Sequence, residues 1–126
     1  MKNIQSEMKA FMLERGWEKQ LPADMAKSII IEASELLEHF QWINPSTEQL
    51  KRELEKVSDI KKELADIFIY TLAMTILIDA DFEKIVRDKL AQVAKKYPAK
   101  LLGKSPYAPK AQDIYWKLKK AHRKTT

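Results

Sequence analysis

The chain has no cysteine and only two glycines, Gly16 and Gly103, among 126 residues. Without thiols there is no disulfide frame, no thiolate metal site and no cysteine nucleophile, and a reducing interior is the natural setting. No alternating apolar run enriched in β-branched residues suggests a strand. The longest nearly apolar run, "IFIYTLAMTILI", contains two threonines and is too short to cross a bilayer. The opening "MKNIQSEMKAFMLERG" lacks the apolar block of a signal peptide. These absences predict a soluble, cytoplasmic protein with no membrane partner.

What is present is Ala, Leu, Glu, Lys and Ile at spacings of three and four, which reads as all-α. A first helix is expected from about Asn3 to Arg15, closed by Gly16 in a left-handed conformation. Pro22 suits a helix start, so a second should run from about Ala23 to Trp42 before "NPST" stops it. Thr47 to Lys56 reads as a short charged helix, and Asp59 to Ile78 as the third main helix. Asp81 can cap a fourth, ending at "KKYP" before Pro98. An extended connector, "AKLLGKSPYAPKAQ", then leads to a basic helix in "KAQDIYWKLKKAHRK", docked by Ile114, Trp116 and Leu118. The whole is a four-helix-bundle type with an additional C-terminal helix. A chain this small with so apolar a third helix is expected to be oligomeric.

Charge divides the chain unevenly. Residues 1–83 hold 10 Lys/Arg against 16 Asp/Glu, and residues 84–126 hold 13 against 2, so −6 is followed by +11. A basic C-terminal third suits nucleic acid, an anionic surface or a phosphorylated small molecule.

The acids of the first part are placed oddly. With Glu32 at zero on a helical wheel, Met25, Ile29, Ile30, Leu36, Leu37 and Phe40 fill an arc from about 20° to 160°. Glu32 borders that arc, Glu35 shares its polar strip, and Glu38 points further away. From Leu64 to Ile78 the strongly polar side chain is Asp66, one helical turn after Glu63. Burying two like charges on such a helix raises its energy unless they are paired, protonated or bound to a cation. The pairs Glu32/Glu35 and Glu63/Asp66 lie on helices that can pack antiparallel and bring four carboxylates together. Oxygen ligands alone suit a hard cation, Mg²⁺ or Mn²⁺. Against this, Glu is simply a good helix former, and Glu63 suits a first helical turn.

In sequence, "EASELLEHFQW" followed by "ELADIFIYTLAM" resembles the all-α nucleoside triphosphate pyrophosphohydrolases of the MazG-like type, with E-x-x-E, a spacer and E-x-x-D. Here 27 residues separate Glu35 from Glu63. "LERGWEKQLPADMAKSIIIEASELLEHFQW" and the later "KKYPAKL" are similar to the dCTP pyrophosphatase branch. The resemblance covers residues 3 to about 103. It implies a catalytic domain over residues 1–103 with a basic extension over 104–126. It further implies Mg²⁺-dependent cleavage of a nucleoside triphosphate to monophosphate and pyrophosphate, with dCTP-like or modified pyrimidine deoxynucleotides as the leading substrates.

On that resemblance, Glu32, Glu35, Glu63 and Asp66 match the Mg²⁺ ligands, and Glu32 or Glu35 takes the proton of the attacking water. Trp17 and Trp42 become base contacts, Tyr70 a phosphate or sugar contact, and Lys96, beside Lys95, a triphosphate contact. On the residues alone, the tryptophans and Tyr70 serve equally as packing groups, and the lysines as a solvated helix end. The resemblance also implies a homo-oligomer, dimer or tetramer. Two positions depart from the pattern: Val93 follows Lys89 where an Asn is usual, and Met8 stands where a first-helix His is expected.

A second reading is a basic helical module that binds nucleic acid or protein without catalysis, resting on residues 84–126 with Tyr107, Tyr115 and Trp116 interspersed. It leaves the core-flanking acids without a purpose, and acids facing a phosphate backbone repel it. Nucleic acid is therefore not the expected partner.

Overall fold

The structure, a computed structural model, describes residues 3–103, 105, 107 and 110–125. Among these there is no strand. Seven α-helices follow one another: α1 (Ile4–Glu14), α2 (Pro22–Glu38), α3 (Thr47–Arg52), α4 (Leu54–Leu77), α5 (Phe82–Lys96), α6 (Ala99–Leu102) and α7 (Ala111–Thr125). The all-α expectation holds. No described helix is long and apolar enough to cross a membrane. The chain divides into two compact units, residues 1–82 and 83–126.

In the first unit, Gly16 does end α1 in the left-handed region, at φ 68°. The chain then makes a 3-10 turn over Trp17–Lys19 before Pro22 opens α2. That helix stops at Glu38, four residues short of the Trp42 predicted from Pro45 alone. Its final turn carries Glu35 and Glu38 and no basic residue, so the negative end of the dipole is opposed rather than complemented. The backbone tightens there, with the Phe40 N–H donating to the Leu37 carbonyl at 2.9 Å. Ser46 then caps α3 in a reciprocal pair with Gln49. A break at Glu53 separates α3 from α4, which begins at Leu54, five residues before the expected Asp59. At its far end Asp79 adopts φ 54°, a conformation usually left to glycine, and the Ala80 N–H reaches back to the Thr75 carbonyl at 2.8 Å.

Helices α2 and α4 form the main packed pair and run antiparallel: Met25 meets Ala73 at one end, and His39 meets Glu63 at the other. The core is thin and rich in methionine. Met12, Met25 and Ala73 are buried together, with Met8, Tyr70, Met74, Ile76 and Leu77 packed around them. Full burial of a side chain such as Met12 contributes about 1.5–3 kcal/mol.

Two core residues expected on α2 are not covered within one chain, since Ile30 is 69% and Leu37 66% exposed. Their side of the apolar arc lies beyond the reach of α4. Leu64 and Ile69 of α4, and Ile78 just past its end, are likewise exposed, although that helix reads as buried all round.

In the second unit, Tyr97 stacks on Tyr115 with ring centroids 5.0 Å apart and planes at 13°. Ala111, the first residue of α7, is buried, Ile114 and Leu118 are half-buried, and Trp116 is exposed. The stretch read as an extended connector holds the short helix α6; its Lys104, Pro106, Ala108 and Pro109 lie outside the described residues.

Candidate metal and nucleotide site

Glu32 and Glu35 stand one turn apart on α2, as Glu63 and Asp66 do on α4, and antiparallel packing brings the two pairs together. One carboxylate oxygen from each of Glu32, Glu63 and Asp66 lies within 4.8 Å of the others. Glu35 stands near enough to raise the pKa of both Glu32 and Glu63. Three of the four predicted acids thus form one cluster, with Glu35 beside it.

Its electrostatics are those of crowded like charges. Burial pushes the Glu32 carboxyl up from its ordinary value; the Glu35 hydrogen bond and the charges of Glu35, Asp66 and Glu63 add to the shift. Glu63 is raised for the same leading reason and then by Glu35, with His39 pulling the other way. The Oε2 atoms of Glu32 and Glu63 are shut off from solvent and lack a hydrogen-bond partner. Orphaned buried oxygens of this kind are destabilising. The donor set fits a hard divalent cation. Opposite ligands on Mg²⁺ stand about 4.2 Å apart, twice the Mg–O distance, so oxygens within 4.8 Å of one another need close in only slightly to share one ion.

His39 also reaches the cluster. Its Nε2 lies 3.8 Å from Glu63 Oε1, and both side chains are about four-fifths buried or somewhat less. The signal was available in the spacing, since His39 follows Glu35 by one turn of the helix face.

The expected substrate contacts are distributed differently. Tyr70, one turn beyond Asp66, shares the acidic side of α4 and packs against Met12, Met25 and Ala73. Trp17 makes an edge-to-face contact with Phe11 at 5.4 Å and lines an apolar cleft with Met8, Phe68 and Ile69. The cleft centres on Ala65, Phe68 and Leu72, on the side of α4 turned away from Glu63 and Asp66, so Trp17 lines that cleft rather than the acid cluster within one chain.

Trp42 lies beyond the end of α2 in a bend and is 87% exposed. Lys96 ends α5 in the second unit, its Nζ 5.3 Å from the Tyr97 ring centre.

An antiparallel helix pair carrying an all-oxygen acid cluster is an arrangement that can hold a divalent cation. Residues 27–103 match the MazG-like family, and the chain belongs to that family.

Among its relatives, dCTP pyrophosphatase 1 of Rattus norvegicus is 29% identical over 94 residues, 72% of this chain and 55% of the relative. The Bos taurus protein of the same name is 32% identical over 95 residues, with the same coverage. The chain therefore spans about half the length of these curated relatives. A crystal structure of a pyrophosphatase from Archaeoglobus fulgidus, 31% identical, superposes with a TM-score of 0.66 over 78% of this chain and 92% of the other.

Proposed function

We propose that the protein hydrolyses a nucleoside triphosphate between its α and β phosphates, releasing the monophosphate and pyrophosphate. The observation that carries this reading is the acid cluster, with two buried carboxylate oxygens left unpartnered in a fold whose relatives are named pyrophosphatases. Glu32, Glu35, Glu63 and Asp66 would hold Mg²⁺, with Mn²⁺ as substitute. The ion would supply positive charge to the triphosphate and make its phosphorus more electrophilic.

The chain's own groups do the rest. Glu35 or Glu32 accepts the proton of the attacking water, a role supported by the nearness of Glu35 to both Glu32 and Glu63. Tyr70 donates its hydroxyl to a phosphate or sugar, and Trp42, exposed beyond the end of α2, contacts the base. Residues 1–103 form the catalytic domain and 104–126 the basic extension.

dCTP and modified pyrimidine deoxynucleotides are the preferred substrates, a choice supported by the names of the mammalian relatives. A homo-oligomer is proposed because Ile30, Ile31, Leu37 and Leu64 expose more than half their surface in one chain.

A panel of deoxynucleoside and nucleoside triphosphates with Mg²⁺ tests the reaction. Monophosphate and pyrophosphate should appear in equal amounts, most rapidly from dCTP, and both Glu35→Gln and Glu63→Gln should abolish them. Diphosphate and phosphate as products, or turnover surviving both changes, overturns the assignment.

A further inference from the structure

The acids that argue against a nucleic-acid partner all lie in the first unit, and the second has a different surface. Its acids are Glu83, Asp88 and Asp113. Two of them are already engaged along α5, Glu83 by Arg87 at 2.7 Å and Asp88 by Lys84 at 2.6 Å. The following turns of α5 bear Lys89, Lys95 and Lys96. With Arg123 of α7 they line a cleft of about 550 Å³ that also reaches Tyr97, and no carboxylate is among its described lining residues.

On α7 the cations continue through Lys117, Lys119 and Lys120. Beside this cleft is a hollow of about 590 Å³ walled by Leu102, Tyr107, Tyr115 and Trp116, the last 50% exposed and Tyr107 86%. The stacked pair joins the two concavities, since Tyr97 lines the cleft and Tyr115 the hollow.

We propose that this second unit binds single-stranded nucleic acid, seating an unstacked base in the aromatic hollow and the phosphate backbone along the cationic cleft. Aromatic faces accept any base, and a row of cations tracks the backbone by releasing its counterions. A strand is favoured over a single nucleotide because the cations extend along α7 beyond those that line the cleft. A single strand is favoured over a duplex because the hollow needs a base free of its stack. The surface belongs to α5, the α6–α7 segment and α7, independently of the acid cluster.

Fluorescence anisotropy of the full chain with a labelled single strand of about a dozen nucleotides, in EDTA to remove divalent cations from the acids, tests the proposal. Four backbone contacts predict an affinity that falls about fifty-fold between roughly 50 and 200 mM NaCl. Trp116→Ala should weaken binding about 5- to 150-fold. Arg123→Glu should weaken it at least about ten-fold and reduce the salt dependence by about one phosphate contact. Both variants should keep their helical circular dichroism and their triphosphate hydrolysis, and Arg123→Gln replaces Arg123→Glu if that variant fails to fold.

No binding at the lower salt overturns the proposal. So does equal competition by free triphosphate at the same phosphate concentration, which would make this a mononucleotide site. Equal binding of polyglutamate, indifferent to Trp116→Ala, leaves a bare charged surface and overturns it as well.

Discussion

Glu32 and Glu63, on neighbouring antiparallel helices, each turn a solvent-excluded Oε2 into the same cluster without a hydrogen-bond partner. Their proximity is a source of instability that a cation removes. A ligand bound only by the folded chain at a hundred times its dissociation constant contributes about 2.7 kcal/mol, on the order of 10 °C in Tm for a domain of this size. Mg²⁺ or Mn²⁺ should therefore raise Tm by that order in differential scanning fluorimetry. Glu63→Gln should raise the Tm of the metal-free protein, because it removes a charge from a crowded site, while abolishing the response to Mg²⁺. A variant with an unaltered Mg²⁺ shift would show that the ion binds elsewhere.

The same acids set the sign of the pH dependence. Both carboxyls are raised above their ordinary value of 4.5, so at intermediate pH the folded chain binds more protons than the unfolded one. The charge penalty is complete above the raised folded values, declines as pH falls through them, and is absent below 4.5. Metal-free protein should thus gain stability as pH drops from neutral towards 4.5, through this site. With Mg²⁺ present the trend reverses, since protons compete with the ion for the same oxygens. Tm measured from about pH 8 to 5 should bring the curves with and without Mg²⁺ together at the acid end. Parallel curves would remove the link between these carboxyls and the cation.

The convergence of the acids was legible because each pair needs only one helical turn and the pairs need only an antiparallel neighbour. Helix ends were less so. Pro45 is a strong breaker, yet α2 ends seven residues before it, where acids oppose the dipole. The excess of apolar surface was also readable, but not which part of it one chain leaves open: Ile30 and Leu37 fall on the same arc as Leu36, and only three-dimensional packing separates them. Gln5 carried no signal, because its partners lie 70 or more residues away.

Gln5 ties α1 to the far end of α4. Its Nε2 donates to Thr75 Oγ1 at 3.0 Å and to the Ala80 carbonyl at 2.8 Å, and its Oε1 accepts from the Phe82 N–H at 3.2 Å. Gln5→Ala leaves the last two backbone groups without that partner, whereas Thr75 keeps its own bond to the Leu72 carbonyl. The expected cost is about 1–3 kcal/mol. With an m value of about 1–3 kcal/mol/M, the urea midpoint should fall by about 1 M, with hydrolysis at 25 °C intact. An unchanged midpoint would show that these bonds contribute nothing net.

Gly16 stands at φ 68° with open space where a Cβ would be. The cost of Gly16→Ala therefore comes from backbone conformation alone, about 1–2 kcal/mol. Gly16→Asn should recover part of it, because Asn tolerates the left-handed region better than Ala. Equal destabilisation by both would point to a steric cause that the open space around this glycine does not provide.

Trp42 separates packing from binding. Being 87% exposed, it has little packing to lose, and Trp42→Ala should change stability by less than about 0.5 kcal/mol. Trp17 differs: it is edge-to-face with Phe11, so Trp17→Ala should lower Tm. If Trp42 stacks on the base, its removal should raise KM about 5- to 150-fold, the equivalent of one base–aromatic contact, with kcat changed far less. Uniform binding of this kind is lost from KM first, because the stack forms before the phosphates react. A Trp42→Ala enzyme with wild-type KM and lowered Tm would make this tryptophan a packing residue and leave the base to other groups.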